Sequence, residues 1–214
     1  MRPMSNADDW AQDAERQVLD AALHIAADRG WTWPTVKAAG AAAGLSEADV
    51  ELLLPHGPRD LAALLARRHD ALTLAALPDP AGLKIRERIR LAVMTRIDLA
   101  AQDEGAVRRW AGFLALPIHL PLALRLLWDS ADRLWRWAGD TATDENHYSK
   151  RMILSGILIP ALTMRWFDGR EAAEAFVQRR IDNVMTFEKW KAGKDFDAPL
   201  RKATAWLGRM RYRG

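Results

Sequence analysis

Residues 44–57 read GLSEADVELLLPHG: a glycine turn, a serine placed to cap a helix, one short apolar-striped run and a proline that stops it. Ser46 suits an N-cap, where its hydroxyl accepts from an otherwise unpaired backbone N–H. Pro55 cannot continue a helix. The outline is that of the second helix of a helix-turn-helix, the element that enters the DNA groove. A groove-reading helix carries basic and hydrogen-bond-donating side chains in its first turns. Here those turns carry Glu47, Asp49 and Glu51, and residues 45–55 contain no Lys or Arg. Non-specific DNA affinity comes from Lys and Arg displacing counterions from phosphate. The acids instead suit the positive end of their own helix dipole. The stretch keeps the scaffold of a DNA reader without its chemistry, so nucleic acid is not expected as a partner.

The flanking sequence extends the same helical unit. Ala14, Val18, Ala21, Ala22, Ile25 and Ala26 recur at helical spacing, and Gly30 follows as a C-cap. Pro34 restarts a helix that ends at Gly44, and Pro58 opens another carrying Leu61, Leu64, Leu65, His69 and Leu72 on one side. A second helical set follows, with Ile85, Ile89, Val93 and Ile97 as its first stripe and further helices near residues 144–167 and 170–191. Half of the 214 residues are hydrophobic, 28% are charged, and β-branched runs are scarce. This composition predicts a globular all-α chain of nine to ten helices. Residues 1–77 form the helix-turn-helix-like unit, 78–195 a second helical domain, and 196–214 a tail.

Several function classes are excluded or disfavoured by residue type. There is no cysteine, hence no disulfide framework or thiolate metal site. The five histidines fall in no HExxH and in no paired Glu-x-x-His of a di-iron bundle, and there is no glycine-rich phosphate loop. DTATDENHY, residues 140–148, gathers Asp140, Asp144, Glu145 and His147, but the spacing places them around a capped turn, with Thr143 or Asp144 as the N-cap. No nucleophile, base and orienting group assemble. The expectation is a protein that is not an enzyme, with no metal and no cofactor. The N-terminus is acidic and lacks a signal-peptide core, which predicts a cytoplasmic protein.

Two stretches point towards lipid. FLALPIHLPLALRLL and MILSGILIPALTM are hydrophobic nearly all round, so both are expected inside the domain. Small residues (Gly112, Ser155, Gly156, Ala161) beside Pro117, Pro121 and Pro160 can leave a tunnel between helices; a plain filled core is the alternative. Trp110, Phe113, Leu114, Leu116, Ile153, Ile157, Leu158 and Ala161 are the expected pocket lining. The ending DAPLRKATAWLGRMRYRG places five basic residues against one acid on an amphipathic pattern. Leu200, Arg201, Lys202, Trp206, Leu207 and Arg209 would hold a membrane surface. A tail packed on its own domain or on a partner is the competing reading.

LWRWAGDTATDENHYSKR, residues 134–151, resembles the most characteristic stretch of the ninth coenzyme Q biosynthesis protein family of mitochondria and alphaproteobacteria. Weaker likeness lies in LDAALHIAADRGW (19–31), LALP with Pro121 (114–121) and RRIDNVM (179–185). The resemblance implies a tetracycline-repressor-like fold, a homodimer without DNA binding, and a pocket for isoprenoid lipids. It also implies membrane contact through a C-terminal amphipathic helix, and assistance to the hydroxylase that modifies the ubiquinone ring. On the residues that match, Leu134, Asp144, His147, Tyr148 and Arg151 would form the partner surface. Where the family commonly reads STDFNWY, this chain reads ATDENHY at 142–148, so Glu145 and His147 replace an aromatic pair. PIHLP (117–121) lacks the Asn that the family often places between its prolines.

The reading that unites these pieces is a lipid-binding accessory protein of ubiquinone biosynthesis, peripheral to the inner membrane. It would hold an isoprenoid lipid or ubiquinone precursor and present it to a ring-modifying hydroxylase. A ligand-responsive transcriptional regulator is the alternative, which the acids on the reading helix oppose.

Overall fold

In the computed structural model, which describes residues 6–141 and 145–192 and the side chains of 9–141 and 147–183, the chain is all helical. The described residues form α1 (Asn6–Arg29), α2 (Trp33–Ala42), α3 (Glu47–Leu53), α4 (Pro58–Ala76) and α5 (Ile85–Gln102). They continue as α6 (Glu104–Leu114), a 3-10 turn (Pro117–His119), α7 (Leu120–Trp137), α8 (Glu145–Phe167) and α9 (Arg170–Ala192).

The N-terminal helices begin and end where local chemistry dictates. Gly30 closes α1 at φ +73°, a conformation costly for residues with a Cβ. Thr32 caps α2, whose first turn holds Pro34. The turn passes Gly44 at φ +75°, and Ser46 with Asp49 forms a reciprocal capping box on α3. Helices α2 and α3 meet where Gly40 lies against Val50; a Cβ on Gly40 would stand 2.2 Å from Val50 Cγ2. Their common core takes in Val18 and Ala22 of α1, Val36 of α2, Leu54, Leu61 and Leu65 around α4, and Val107 of α6. Helix α4 is buried along most of its length and touches α1, α2, α5 and α7.

Several of the ten tryptophans spend their indole N–H as ties between segments. Trp31 donates to the Ala106 carbonyl (3.0 Å), Trp110 to Ala62 (3.0 Å) and Trp135 to Lys150 (3.0 Å). A buried indole needs such an acceptor, so its large apolar area comes with a directional constraint. Asp98 on α5 accepts from Arg165 of α8 at 2.8 Å and from Arg170 at the start of α9 at 2.9 Å.

The apolar middle corrects one expectation. The two hydrophobic stretches are not wholly inside: Leu116, Ile118, Leu120, Leu124, Met152 and Ile159 are all exposed. The reason lies in register. Pro121 starts α7 rather than breaking a helix, and α7 and α8 bury only the faces they turn to each other and to α4 and α5. No single described helix is long and apolar enough to cross a membrane.

By its internal contacts the chain divides into two compact units, Met1–Val177 and Gln178–Gly214. In the first, Ala173 and Val177 of α9 are fully buried. In the second, Gln178 donates to Asp182 along α9.

Candidate functional site

A cavity of about 490 Å³ opens among α5, α6, α7 and α8, touching α4 at Ala66. Its wall is almost entirely carbon. Ile97 and Ala100 come from α5, Leu126 and Leu127 from α7, and Leu158 and Leu162 from α8. The exposed Leu120, Leu124 and Ile159 also belong to the lining, so its open side is apolar too. The sequence leaves this space because α6 and the segment that begins α7 are bent 92° apart at a break beside Pro117. Gly112 contributes no side chain where one would fit: a Cβ there meets nothing within 4 Å. Pockets of 300–1,000 Å³ with apolar walls are the usual size for small-molecule sites.

Of the residues expected to line a pocket, Trp110, Leu114 and Leu158 do so. Phe113 instead packs on the neighbouring core and stacks on His119 with ring centroids 4.0 Å apart. Leu116 is half exposed in the bend, and Ile153 is partly buried on α8. Ile157 and Ala161 are buried on α8 but lie outside this cavity's lining. Lining residues outside that expected set include Arg96, Ser130, Leu162 and Trp166. Arg96 was legible in part: it falls seven residues after Ile89 and three after Val93, on the buried stripe of α5.

Within the stretch 134–151, the described side chains of 134–141 and 147–151 form a clamp between α7 and α8. Just past the end of α7, Gly139 at φ +91° turns the chain so that the Asp140 N–H returns to the Trp135 carbonyl. Arg151, 1% exposed, then reaches back from α8. Its Nε donates to Asp132 Oδ1 (2.6 Å), and its Nη1 to Asp140 Oδ2 (2.9 Å) and the His147 carbonyl (3.1 Å). Lys150 adds a bond to Asp140 at 2.6 Å. Burial alone would raise both carboxyls, but the Arg151 and Lys150 contacts, with Arg136 at Asp132, hold Asp132 and Asp140 below the usual carboxylate range.

This changes the role of two residues expected on a partner surface. Leu134 and Arg151 are buried and shape the α7–α8 junction from within. Tyr148 is exposed, and His147 is half-buried beside it. Both rings lie near Trp128, at centroid distances of 5.9 Å for Tyr148 and 6.3 Å for His147. With Leu124 and Met152, they give α7 and α8 an outward apolar and aromatic face. Asp144 and the tail residues Leu200, Arg201, Lys202, Trp206, Leu207 and Arg209 lie outside the described residues.

Two polar centres complete the picture. His69, buried on α4, holds Asp103 through Nε2 at 3.0 Å, so the ring nitrogen donates to the carboxylate. Burial pushes His69 below its ordinary pKa against the opposing effect of that bond, and the same bond lowers Asp103. On the helix-turn-helix, Glu47 and Glu51 are exposed, and Glu47 is met by Lys37 at 3.2 Å. Among the described residues, no three His, Asp or Glu are grouped to hold a metal ion.

An all-helical, tetracycline-repressor-like protein with an acidic reading helix and an apolar cavity of ligand size is the class these features define. Comparison with known proteins narrows it. Residues 120–188, covering α7, α8 and most of α9, match the COQ9 family. The mitochondrial ubiquinone biosynthesis protein COQ9 of Rattus norvegicus is 30% identical over 185 residues, covering 81% of this chain and 59% of the relative. The Homo sapiens protein of that name is 25% identical, covering 81% and 58%. COQ9-B of Xenopus laevis is 26% identical, covering 82% and 64%. The chain is thus similar to COQ9 proteins over about four fifths of its length, with the family match itself confined to residues 120–188. It spans about three fifths of the length of the curated relatives it matches.

Proposed function

We propose that this protein is a non-enzymatic accessory factor of ubiquinone biosynthesis. It binds an isoprenoid lipid or quinone intermediate and presents it at a membrane to a ring-modifying hydroxylase. The observation that carries this reading is the cavity: about 490 Å³, walled by carbon, with Leu120, Leu124 and Ile159 on both the lining and the protein surface. Exposing an isoprenoid to water costs ~0.8 kcal/mol per CH₂. Transfer from a bilayer into a dry apolar space nearly cancels that cost, so loading needs no ATP. The names of the curated relatives place those proteins in the ubiquinone pathway, which supplies the ligand class. The face made by Leu124, Trp128, Tyr148 and Met152 supports a protein contact, for the hydroxylase or for a second copy of the chain, because contiguous exposed apolar surface marks interaction sites. The basic pattern of residues 196–214 supports membrane attachment. Glu47, Asp49 and Glu51 speak against the regulator reading.

The test is mass spectrometry of an organic extract of protein purified without detergent, from the native host. An isoprenoid or quinone at near-stoichiometric amount is the expected result. In parallel, full-length protein should float with anionic vesicles, and protein lacking residues 196–214 should remain below. Protein free of lipid, or truncated protein that floats equally well, would remove the corresponding half of the proposal.

A further inference from the structure

A second space, of about 260 Å³, lies between α4 and α7 and shares Ala66 and Leu126 with the wall of the apolar cavity. Its character is the reverse. Arg67 of α4 and Arg125 and Arg133 of α7 line it, together with Asp70 and Asp129. The spacing explains the shape. Arg125, Asp129 and Arg133 follow at four-residue intervals, which puts them on one face of α7. Across the seam α4 contributes Ala63 and Ala66, whose methyl groups leave room beneath the longer side chains.

The three arginines are weakly engaged within the chain. Asp129 stands four residues from both Arg125 and Arg133, yet it pairs with neither, and Arg125 pairs with no other described residue. Arg133 is 3.5 Å from Asp70 Oδ2, and Arg67 is 3.5 Å from Glu15. A fully made charge-assisted contact closes to roughly 2.7–2.9 Å. Arg151 reaches that with Asp140 at 2.9 Å, and Arg165 with Asp98 at 2.8 Å. Asp70 is satisfied from its other side: Oδ1 accepts from Arg96 Nε at 2.8 Å and from Ser130 Oγ at 2.7 Å. Arg96 therefore cancels Asp70, and three guanidiniums line the pocket against Asp129 alone.

Like charges gathered round one space repel each other, and an anion placed among them relieves that repulsion. The donors come from two helices, on either side of the seam. A tetrahedral oxyanion accepts from several directions at once, whereas a carboxylate accepts chiefly in one plane. Guanidinium forks match phosphate oxygens in pairs. We infer that the α4–α7 pocket binds a phosphate group, carried by a small molecule or by a lipid head group, with Arg125 and Arg133 as its main donors and Arg67 closing the α4 side. This site is separate from the apolar cavity and does not depend on the lipid-pocket reading. Arg67 and Arg125 are exposed, so affinity falls as salt screens them.

Two arms of one experiment, both on the full-length protein, test the site and distinguish the sources. In the first, calorimetric titration with pyrophosphate and with acetate at matched ionic strength probes free anions. Pyrophosphate is expected to bind at least about tenfold more tightly than acetate, and Arg125→Gln to weaken it about tenfold, the order for losing one charged hydrogen-bond partner. Arg125 is exposed and unpaired among the described residues, so this variant should melt with wild type. Arg86→Gln removes the same charge from an exposed position on α5 outside the pocket and should bind as wild type does. In the second arm, flotation with phosphatidylcholine vesicles, with and without phosphatidic acid, probes head groups. Arg125→Gln/Arg133→Gln should lose flotation that depends on phosphatidic acid, the tail being intact throughout; if the double variant fails to fold, Arg125→Gln supplies the comparison. A loss confined to the pocket variants in either arm supports the site and identifies its source. Wild type and pocket variants that behave alike in both arms, bound or unbound, overturn it, as does an Arg86→Gln loss as large as that of Arg125→Gln. Acetate binding as tightly as pyrophosphate overturns the choice of phosphate.

Discussion

Gly112→Leu separates a cavity that holds a ligand from a void that merely exists. Gly112 lines the cavity from α6, and a Cβ built there meets no atom within 4 Å. The new side chain therefore enters open space. The fold should gain slightly, because replacing a helical glycine recovers up to about 1 kcal/mol of helix propensity. The ligand should lose. Four added carbons exclude about four CH₂ groups of an isoprenoid, each giving ~0.8 kcal/mol on burial. The sum is about 3 kcal/mol, or roughly a hundredfold weaker binding. Titration of the purified variant with a short isoprenoid, alongside its melting temperature, measures both quantities. Weakened binding with an equal or higher melting temperature is the expected pair. Unchanged affinity in a variant that is equally or more stable would refute the reasoning, because it would put the ligand elsewhere.

Two further predictions concern the framework around the site. Arg151→Met leaves Asp132 and Asp140 without their shared buried cation. Removing one partner of a buried ionic network costs about 3–5 kcal/mol, which for a chain of this size lowers the melting temperature by roughly 10 °C; calorimetry showing a change under about 2 °C would dismiss the clamp. His69 should make stability pH-dependent. Its folded pKa lies below the unfolded value of about 6.5, so the unfolded chain binds more protons in that window. The His69 contribution is complete above about pH 6.5 and is lost as pH falls through that value towards the folded pKa. Asp103, Asp132 and Asp140 have lowered pKa values, so their contributions are lost only as pH falls below about 3.9. Urea titrations from pH 7.5 to 5 should therefore show a shallower slope for His69→Gln than for wild type; equal slopes would count against burial of a neutral imidazole.

The sequence by itself determined the helices and much of their ends. Capping and backbone restriction act within a few residues, so Gly30, Ser46, Pro34 and Pro58 announce their roles in the primary structure. The acidity of α3 was equally legible, because charge needs no tertiary context. The site was legible only in outline. Trp110, Leu114 and Leu158 reached the cavity, whereas Ile157 and Ala161, on the same apolar helix, did not. Hydrophobic character predicts burial without saying which buried face meets a void. That depends on how α5, α6, α7 and α8 cross and on the 92° bend near Pro117. Tertiary structure also turned Arg151 from an expected surface contact into an internal tie. It joined Asp70, Arg96 and Ser130, spread over sixty residues of chain, into one polar corner. Long-range pairs of this kind arise from packing alone; no local pattern encodes them.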